Sequence, residues 1–405
     1  MQTIKLGRIL TDVAMGPFGS NLKAENFQPT GVPVIRGQNL NEFYVSNEKL
    51  AYVSPKKAAG LSRSLASPGE IVVTHRGTLG QVSMIPFFPK HPTYLVSQSQ
   101  MRLAVDREQA DPRFVTYWMR SRVGQHLLLS FAVQTGVPAI ARPTSSLRDY
   151  PIALPELGKQ RAIADLLGSL DDKIAANQRA ASLSKQMVES IAETTNNYVS
   201  LGELAVRNKR TINPAKLGSN LVMHYSIPRF DSGSPALEPA DSIKSNKNHV
   251  ERASVLVSKL NPETPRVWSI PAPSKEPFSL ASTEFIVLEP SGINQSQLYA
   301  ATLHSNYHHQ LASLVGGTSK SHQRVKPEEM LGCVVPDVRT LTDGQIELLE
   351  TLVQIETQAI QEAETLAKTR DELLPLLMNG KITVREAGQE AATAGAQIPS
   401  EENEV

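Results

Sequence analysis

Two groups of side chains have types and spacings that could bind a metal ion. Asp171, Asp172 and Lys173 have the spacing of carboxylate-type nuclease sites, but they fall inside a long helical pattern, where a solvated salt-bridging face is the favoured interpretation. His304 and His308 are one helical turn apart and could hold a metal, yet no third ligand and no His-Glu motif accompanies them. We therefore predict no metal site.

Other common catalytic motifs are missing from the sequence. No Gly-x-x-x-x-Gly-Lys-Ser/Thr loop and no Gly-x-Ser-x-Gly string occurs, so nucleotide-binding P-loops and serine hydrolases of that type are not indicated. The single cysteine, Cys333, excludes a disulfide framework and a cysteine-based zinc site. The sequence predicts no catalytic site.

Two segments, residues 1–155 and 199–338, resemble each other in their local sequence pattern. Both alternate short β-type runs with Gly and Pro clusters, as globular α+β domains do. One helix is predicted in each segment, at 112–129 and at 295–314. The predicted strands are Val32–Ile35, Glu70–Thr74, Val82–Ile85, Gln100–Val105, Ser254–Val257, Val267–Ile270 and Glu284–Leu288.

Two further segments, residues 156–198 and 339–383, predict long helices. Apolar side chains recur in each at alternating intervals of four and three, which is the period of a coiled-coil seam. Every position of the second stripe follows its counterpart in the first by 185 residues. The first stripe is Ile163, Leu167, Leu170, Ile174, Asn177, Ala181, Ser184, Val188 and Ile191, and the second is Leu348, Leu352, Ile355, Ala359, Glu362, Leu366, Thr369, Leu373 and Leu376.

The two helices are expected to bury their stripes on each other as an antiparallel pair. This arrangement gives the chain a pseudo-twofold internal repeat and sets Asn177 opposite Glu362 as a polar pair that fixes register. Pro375 is expected to kink or end the second helix. The acidic tail, residues 384–405, shows no stripe and is expected to be disordered.

The charge is segregated along this repeat, although the whole 405-residue chain has a net charge of only +1. Residues 1–150 hold 17 basic and 9 acidic residues, a net of +8, and residues 201–336 hold 14 and 11, a net of +3. Residues 151–200 hold 5 and 6, a net of −1, and residues 337–405 hold 5 and 14, a net of −9. Two basic modules on a rigid spacer suit duplex DNA with two half-sites, and equally two domains of another binding function.

Neither a membrane nor a secretory signal is indicated. No apolar run approaches the roughly 18 residues of a membrane span, and the opening MQTIKLGRIL lacks a signal peptide's apolar stretch and cleavage site. We expect a cytoplasmic protein.

Several strings resemble the specificity subunits of type I restriction–modification systems. They are SPGEIVVTHRGTLGQV (67–82), TGVPAIARPTSSLRDYPIALPEL (135–157) and KQRAIADLLGSLDDKI (159–174). The opening Leu6-Gly7, the GPFGS string and GVPVIRGQNL also resemble the start of that family's recognition domain, and LPLLMNGKI (374–382) resembles its usual finish. The resemblance covers nearly the whole chain and is looser in the second half.

The resemblance implies an α+β fold in which two similar target-recognition domains are separated by two long conserved helices that form an antiparallel coiled coil. Each domain would read one half of a bipartite site in double-stranded DNA. The helices would set the unread spacer and dock two methyltransferase subunits, with restriction (translocase) subunits joining the full complex. The chain would bind no cofactor, and S-adenosylmethionine would sit on the methyltransferase. The Asp/Asn/Ser-Pro-Pro-aromatic tetrapeptide of amino-methyltransferases is absent here.

Reading bases and phosphates requires bidentate donors and acceptors, cations and hydroxyls on turns. Side chains of these types follow the predicted strands of both basic segments, and Arg36, Arg76 and Arg142 are the preferred candidates. The full set is Arg36, Gln38, Asn39, His75, Arg76, Thr78, Gln98, Arg142, Thr144, Arg229, Lys244, Lys247, Ser319, Lys320, His322 and Arg324. Two other classes remain alternatives: a restriction or modification enzyme with an unrecognised catalytic site, and a coiled-coil scaffold that binds only proteins.

Overall fold

The fold is taken from a computed structural model, which describes residues 2–133, 136–273, 276–315 and 323–396. The chain divides into two compact units. The first unit contains Met1–Lys173 and Leu366–Val405, and the second contains Ile174–Thr365. Each unit therefore takes one globular segment and a part of both long helices. Among the helices in the described ranges, none combines the length and hydropathy of a membrane span.

The first globular segment is a mixed α+β domain. Its helices are α1 (Pro55–Ala59), α2 (Pro112–Arg120), α3 (Arg122–Leu129) and α4 (Pro143–Asp149). Its strands are β1 (Gln2–Lys5), β2 (Leu10–Met15), β3 (Phe27–Gln28), β4 (Val32–Ile35), β5 (Ala51–Val53), β6 (Leu65–Ala66), β7 (Ile71–Thr74), β8 (Val82–Met84), β9 (Tyr94–Val96), β10 (Gln100–Val105), β11 (Ala132–Val133), β12 (Ala139–Ile140) and β13 (Pro151–Leu154).

These strands form a four-stranded sheet, β2-β10-β7-β8, and a five-stranded sheet, β3-β5-β4-β9-β6. Two short pairs, β1-β13 and β11-β12, complete the first domain. All four residues of β7 are buried, as expected for a central strand with both faces covered. The predicted strands in this segment are confirmed to within one residue at each end.

The first long helix, α5, runs from Leu157 to Ala192 over 36 residues. The second globular segment follows it. Its helices are α6 (Leu201–Leu204), α7 (Ile227–Asp231), α8 (Gln295–Leu303), α9 (Ser305–Ser313) and α10 (Pro327–Gly332). Its strands are β14 (Tyr198–Ser200), β15 (Ala205–Asn208), β16 (Thr211–Ile212), β17 (Leu221–Tyr225), β18 (Ala236–Pro239), β19 (Lys247–Val250), β20 (Ser254–Ser258), β21 (Val267–Ile270), β22 (Phe278–Ala281), β23 (Phe285–Pro290) and β24 (Val334–Pro336).

The second domain repeats the plan of the first. Its four-stranded sheet, β15-β23-β20-β21, has the same order as β2-β10-β7-β8, and a five-stranded sheet, β16-β19-β22-β17-β18, accompanies it. The short pair β14-β24 corresponds to β1-β13 and brings the domain's two ends together. The internal repeat expected from the sequence is therefore present in the order of the elements.

Both helices predicted within the globular segments are broken into two. Ser121 ends α2 and caps α3 by accepting a hydrogen bond of 3.1 Å from the backbone of Gly124. His304 separates α8 from α9 in the same way, since its Nδ1 accepts from the backbone of Asn306 at 3.2 Å. A side chain that satisfies the free amides of a new first turn allows the helix to restart in a different direction.

The second long helix, α11, runs from Asp343 to Asn379 and continues through Pro375. Pro375 therefore does not end the helix, which stops four residues later, and the alternative expectation of a kink stays a prediction. A further helix, α12 (Val384–Thr393), lies in the tail that was expected to be disordered. Thr383 and Glu386 form its capping box, and the small side chains of Ala387 and Ala391 are buried. Residues 397–405 of the tail lie outside the described residues.

The two long helices contact each other as antiparallel partners in both units. In the first unit, Asp171 near the middle of α5 forms an ion pair with Arg370 in the C-terminal part of α11, at 2.5 Å. In the second unit, Val188 and Ala192 at the C-terminal end of α5 share a core with Leu349 near the start of α11. The middle of α5 thus contacts the C-terminal part of α11, and the C-terminal end of α5 contacts the start of α11. These contacts confirm the predicted antiparallel coiled coil.

Eight of the nine predicted stripe positions are buried on α5, but only four of nine are buried on α11. All the stripe residues of α5 from Ile163 to Val188 are buried. On α11, however, Leu348 and Ile355 are each 42% exposed, and Glu362 is only half-buried. The residues one position later take the buried places. They are Leu349, Glu356, Ala363 and Leu377, alternating with the correctly predicted Leu352, Ala359, Leu366 and Leu373.

The expected polar pair between Asn177 and Glu362 is therefore not formed. Asn177 is buried in the seam as predicted, but its Nδ2 has no hydrogen-bond partner among the described residues. The physical reason is that the buried position of α11 lies one residue later than predicted, so the small side chain of Ala363 is buried there instead of Glu362.

The polar contacts of the helices lie elsewhere, one set in each unit. Asp171 accepts a hydrogen bond of 2.6 Å from the Tyr117 hydroxyl of α2, in addition to the ion pair with Arg370. In the second unit, Glu356 accepts one of 2.9 Å from the Tyr299 hydroxyl of α8. Burial raises the pKa of Glu356, whereas the Tyr299 hydrogen bond and the charge of Lys185 act in the opposite direction.

The ion pair of Asp171 predicts a specific loss of stability in the first unit. Because Arg370→Met leaves a largely buried carboxylate with one partner fewer, the free energy of unfolding should fall by about 2 kcal/mol. Urea unfolding followed by the fluorescence of Trp118, in a Trp268→Phe background, measures this in the first unit. The matched control, Lys23→Met, removes a pair with Glu25 whose side chains are 60% and 73% exposed, and should change stability by less than about 0.5 kcal/mol. Equal effects of the two changes would contradict the assignment.

Candidate nucleic-acid interface

A cleft of about 880 Å³ opens in the first unit, where β7 ends and β10 begins. These strands are antiparallel neighbours, with Thr74 opposite Gln100. The residues that follow β7 and those that precede β10 therefore lie side by side at the same end of the sheet. The cleft is lined by Val13, Ala14, Met15, Gly16, Pro17, Phe18, Gly19, Asn21, Gly60, Leu61, Ser62, Arg63, Ser64, His75, Arg76, Gln98, Ser99 and Thr144.

Three chain segments are tied together by backbone hydrogen bonds to form this cleft. The amide of His75 donates to the carbonyl of Ser99 at 2.9 Å. The amide of Ile140 donates to the carbonyl of His75, and that of Gly77 to the carbonyl of Pro138, each at 2.8 Å. The turn after β7, the turn before β10 and the strand β12 are thus fixed relative to one another, as a preorganised binding site requires.

A chain of hydrogen-bonded polar side chains joins the ends of β7 and β10, where the cleft opens. The Gln100 side chain, 2% exposed, donates from its Nε2 to the Thr74 hydroxyl at 3.2 Å. That hydroxyl donates in turn to Gln81 Oε1 at 3.0 Å. Gln100 also accepts a hydrogen bond from the Ser97 hydroxyl. Such a satisfied network holds the ends of both strands in one arrangement.

The cleft carries positive charge without any carboxylate among its described lining residues. Arg76 and Arg63 are both exposed there, and no ion pair of Arg76 occurs within the described ranges. In a concave site, cations that are not neutralised by neighbouring acids attract anionic ligands. Gln98 and Thr144 add an amide and a hydroxyl to the same surface.

Arg142 stands next to the cleft, two residues before Thr144, in a conformation that its residue type disfavours. Its φ is 42° and its ψ is 63°, in the left-handed region. This conformation costs a non-glycine residue about 1–2 kcal/mol, and it occurs immediately before Pro143, the first residue of α4. The Arg142 side chain is exposed, so no burial within the described residues compensates for the strain.

His75 contributes a neutral ring to the cleft wall. Its Nε2 lies 3.1 Å from the carbonyl oxygen of Gln98, which only accepts, so Nε2 donates. Burial lowers the pKa of His75, and the charge of Arg76 acts in the same direction. The ring is therefore neutral at pH 7, and its Nδ1 is left as an acceptor.

The structure brings together His75, Arg76, Gln98 and Thr144 of the predicted DNA-contacting residues, with Arg142 beside them. Thr78 is exposed in the adjacent turn between Gly77 and Gly80, whose φ angles are 93° and 91°. These positive φ values explain why glycine stands on both sides of Thr78.

The predicted group at 36–39 lies apart from the cleft and performs a structural task. Asn39 is 0% exposed, and its amide donates to the carbonyls of Ser46 and Glu48. Arg36 and Gln38 both donate to the carbonyl of Lys49. For Asn39 the predicted DNA contact is wrong, because its side chain is buried and fully used in holding this loop.

In the second unit the predicted residues are dispersed. Lys247 is 7% exposed and its ammonium donates to Ser245, so it is not available for a phosphate contact and that prediction is wrong. Lys244 is exposed, and Arg229 is half-buried. Arg324 forms a two-point ion pair with Glu284, with both distances 2.9 Å. Ser319, Lys320 and His322 lie outside the described residues.

The repeat identifies two cations that the sequence interpretation missed. Lys259 is the counterpart of His75, because the amide of each donates to the residue before the next central strand, Glu284 and Ser99 respectively. Lys326 precedes Pro327 at the start of α10, as Arg142 precedes Pro143 at the start of α4. A basic residue precedes the proline that begins a short helix in both halves, and this pattern could have identified Lys326.

The described residues contain no group of three His, Cys, Asp or Glu side chains placed to hold a metal ion. His304 is buried as a helix cap, and His308 is 8% exposed in the second unit. Burial lowers the pKa of His308 to about 4, and the nearby charges of Lys185, His309 and His304 act in the same direction.

Comparison with known proteins finds a sequence match for the first part of the chain. Residues 17–183 match the family model described as the type I restriction modification DNA specificity domain. The putative type I restriction enzyme MjaX specificity subunit of Methanocaldococcus jannaschii is 21% identical over 151 residues. That alignment covers 37% of this chain and 35% of the relative, so the chain matches about a third of the relative's length.

The fold is shared with a solved structure over nearly the whole chain. The crystal structure of the type I restriction-modification system S subunit from M. genitalium gives a TM-score of 0.61 at 15% identity. The superposition covers 93% of this chain and 95% of that one. The likeness therefore extends over both globular domains and both long helices.

The sequence match to a type I restriction modification DNA specificity domain thus covers residues 17–183, and the likeness over the rest of the chain is one of fold.

The strained backbone of Arg142 predicts a gain in stability on substitution. Arg142→Gly removes the steric cost of the left-handed conformation, and the added freedom of the unfolded chain offsets part of it. The free energy of unfolding of the first unit should therefore rise by up to about 1 kcal/mol, measured by urea unfolding. Arg148→Gly, an exposed position inside α4, is the matched control and should destabilise by about 1 kcal/mol. If both variants lose stability equally, Arg142 is not strained.

The buried His308 predicts a pH dependence of the second unit. Its pKa of about 4 lies below the unfolded value of 6.5, so only the unfolded chain takes up a proton as the pH falls between these values. The resulting stability is fully present above pH 6.5 and declines by about 3 kcal/mol towards pH 4. His308→Gln should make the fall in unfolding free energy shallower by that amount, whereas the exposed His309→Gln should keep the wild-type slope. An unchanged slope for His308→Gln would refute this prediction.

Proposed function

We propose that this chain is the DNA-reading, non-catalytic subunit of a type I restriction–modification complex, in which each globular domain reads one half of a bipartite duplex site. The observation that carries the proposal is the cleft of the first unit. It combines exposed arginines, amide and hydroxyl groups and no lining carboxylate in a domain that matches the specificity family. These are the groups that contact phosphates and base edges.

The second domain supplies the second reading surface in this proposal. Lys259 and Lys326 occupy the places of His75 and Arg142. Three further cations lie in the strand β15 or directly after it: Arg207, Lys209 and Arg210. Several of these cations are paired with acids, since Arg207 contacts Glu328 at 3.3 Å and Arg210 contacts Glu251. We infer that this domain binds the phosphate backbone less strongly than the first, because its cations are partly neutralised.

The long helices have the spacing role in this proposal. A helix of 36 residues is about 54 Å long, and half-sites on one face of DNA recur about every 34 Å. The antiparallel pairing fixes one register, so the unread gap between the half-sites has one length. Two methyltransferase subunits would dock on this helical frame and carry S-adenosylmethionine, and restriction subunits would join them.

The proposal predicts a localised effect of Arg76. Arg76→Ala should weaken binding to the recognised duplex by about 1–3 kcal/mol, and it should relax discrimination in one half-site only, if the guanidinium reads a base. A fluorescence-anisotropy titration of the full chain, assembled with its methyltransferase and using duplexes changed in either half-site, measures both effects. The recognised sequence itself is obtained beforehand from methylation profiling.

The matched control is Arg107→Ala, which removes the same charge from the opposite end of the same sheet, where Arg107 stacks on Phe87. It should leave the affinity nearly unchanged. A uniform loss for Arg76→Ala on all sequences, with a shallower salt dependence, would identify a phosphate contact instead. Equal affinities of both variants and the wild type would reject the cleft as the reading surface.

A further inference from the structure

Phe18 is a large aromatic side chain on the rim of the cleft and is 80% exposed. An aromatic side chain this exposed gains free energy when a ligand covers it. In the described part of the chain, Phe88 is the one phenylalanine that is more exposed, at 97%, and it does not line the cleft. Phe18 thus differs from Phe88 because it lines the same cleft as Arg63 and Arg76.

The turn that carries Phe18 is held firmly against the cleft. The amide of Gly16 donates to the carbonyl of Gln100 at 2.8 Å, and the amide of Asn21 donates to the carbonyl of Phe18 at 2.8 Å. A Cβ on Gly16 would lie only 1.8 Å from the carbonyl oxygen of Ser97, so glycine is required for this approach. The ring is consequently presented by a tight turn rather than by a loose loop.

The groups around the ring suit a nucleobase attached to a phosphate chain. Arg76 and Arg63 supply positive charge on the same concave surface, and His75 supplies a neutral acceptor. Gln98 approaches the turn closely, since its Oε1 would be 2.6 Å from a Cβ on Gly19. An apolar ring can stack on a partly unstacked base, and the neighbouring cations can contact the phosphate next to that base.

We propose that Phe18 stacks on a base of the half-site read by the first unit and separates that base from its neighbour. The proposal rests on the proposed function, because it assumes that this cleft faces DNA. Phe18 is then a residue that specifies the target through the ease of unstacking a particular base step. Pyrimidine–purine steps, which unstack most easily, would be favoured at this position.

In the described part of the second unit, the chain that follows β15, residues 209–217, carries no aromatic side chain. After β15, the chain enters β16 (Thr211–Ile212), which pairs with β19 through Thr211 with Asn248 and Ile212 with Lys247. The stretch that forms an open turn in the first unit is thus part of a sheet in the second. The unstacking is accordingly confined to one of the two half-sites.

The test uses the full chain assembled with its methyltransferase and a duplex that carries the recognised site, with 2-aminopurine at successive positions of both half-sites. With the wild-type chain, 2-aminopurine fluorescence should rise several-fold at one position of one half-site, because that base leaves the stack. Phe18→Ala should abolish the rise and weaken binding by about 5- to 100-fold. Phe88→Ala should behave as the wild type.

A second variant reports the contact from the protein side. Phe18→Trp should keep most of the affinity, and its added tryptophan fluorescence should be quenched when the duplex binds, because an indole ring stacks on a base as phenylalanine does. Phe88→Trp is the matched control and should show no quenching. Thermal unfolding of Phe18→Ala should equal that of the wild type, since the side chain it removes is exposed.

The outcomes separate this proposal from the proposed function. If the wild-type complex shows no salt-dependent binding to any duplex, the proposed function fails and this proposal with it. If the wild type binds but Phe18→Ala keeps its affinity and its 2-aminopurine signal, the stacking proposal alone is overturned. A weaker affinity of Phe18→Ala without any 2-aminopurine change, and with unquenched Phe18→Trp, also overturns stacking and indicates a contact with the sugar chain or with a partner protein.

Discussion

The hydrogen-bonded contact of Tyr117, Asp171 and Arg370 joins three elements of the first unit: the helix α2 of the domain, α5 and α11. The second unit repeats the same chemistry with Tyr299 and Glu356, with the charge of Lys185 nearby. Asp171 and Glu356 are 185 residues apart, as are Lys185 and Arg370. Each domain is thus attached to its helices by a tyrosine that donates to a buried acid, and the acid faces a cation of the other helix.

This contact explains why the helix pair is more than an apolar seam. An ionised carboxylate inside a helix interface is costly unless partners of fixed position compensate it, and here those partners come from a globular domain and from the opposite helix. The polar contact therefore specifies one register of the helices and one placement of each domain's helix on them. The proposed spacing role of the helices requires one register of this kind.

Much of the fold follows from local sequence patterns. The strand Gln100–Val105 and the strand Val267–Ile270 were predicted with their observed bounds, because alternating or continuous apolar runs between turn residues are short-range signals. The phase of the second seam was not predictable in the same way. Leu348 and Leu349 are both apolar, and Ile355 next to Glu356 suggests the wrong buried residue. The choice depends on Tyr299, which is distant in sequence and donates to Glu356.

The candidate site shows the same limit. His75, Arg76, Gln98 and Thr144 were selected as polar residues near strand ends, and the fold brings them together. Asn39 and Lys247 satisfied the same criterion but are buried by contacts to their own loops, which composition does not reveal. The exposure of Phe18 depends on how closely Gly16 approaches Ser97, and this is a property of the folded backbone alone.

The proposed function requires the two domains to read two separated halves of one DNA site. Single-molecule sequencing of methylated bases in the host genome, with this chain present and deleted, tests it most directly. A bipartite methylated motif with an unread gap of one length is expected, and it should disappear when the chain is deleted. A motif without a gap, or methylation that is unchanged by the deletion, would show that the two domains do not read separate half-sites.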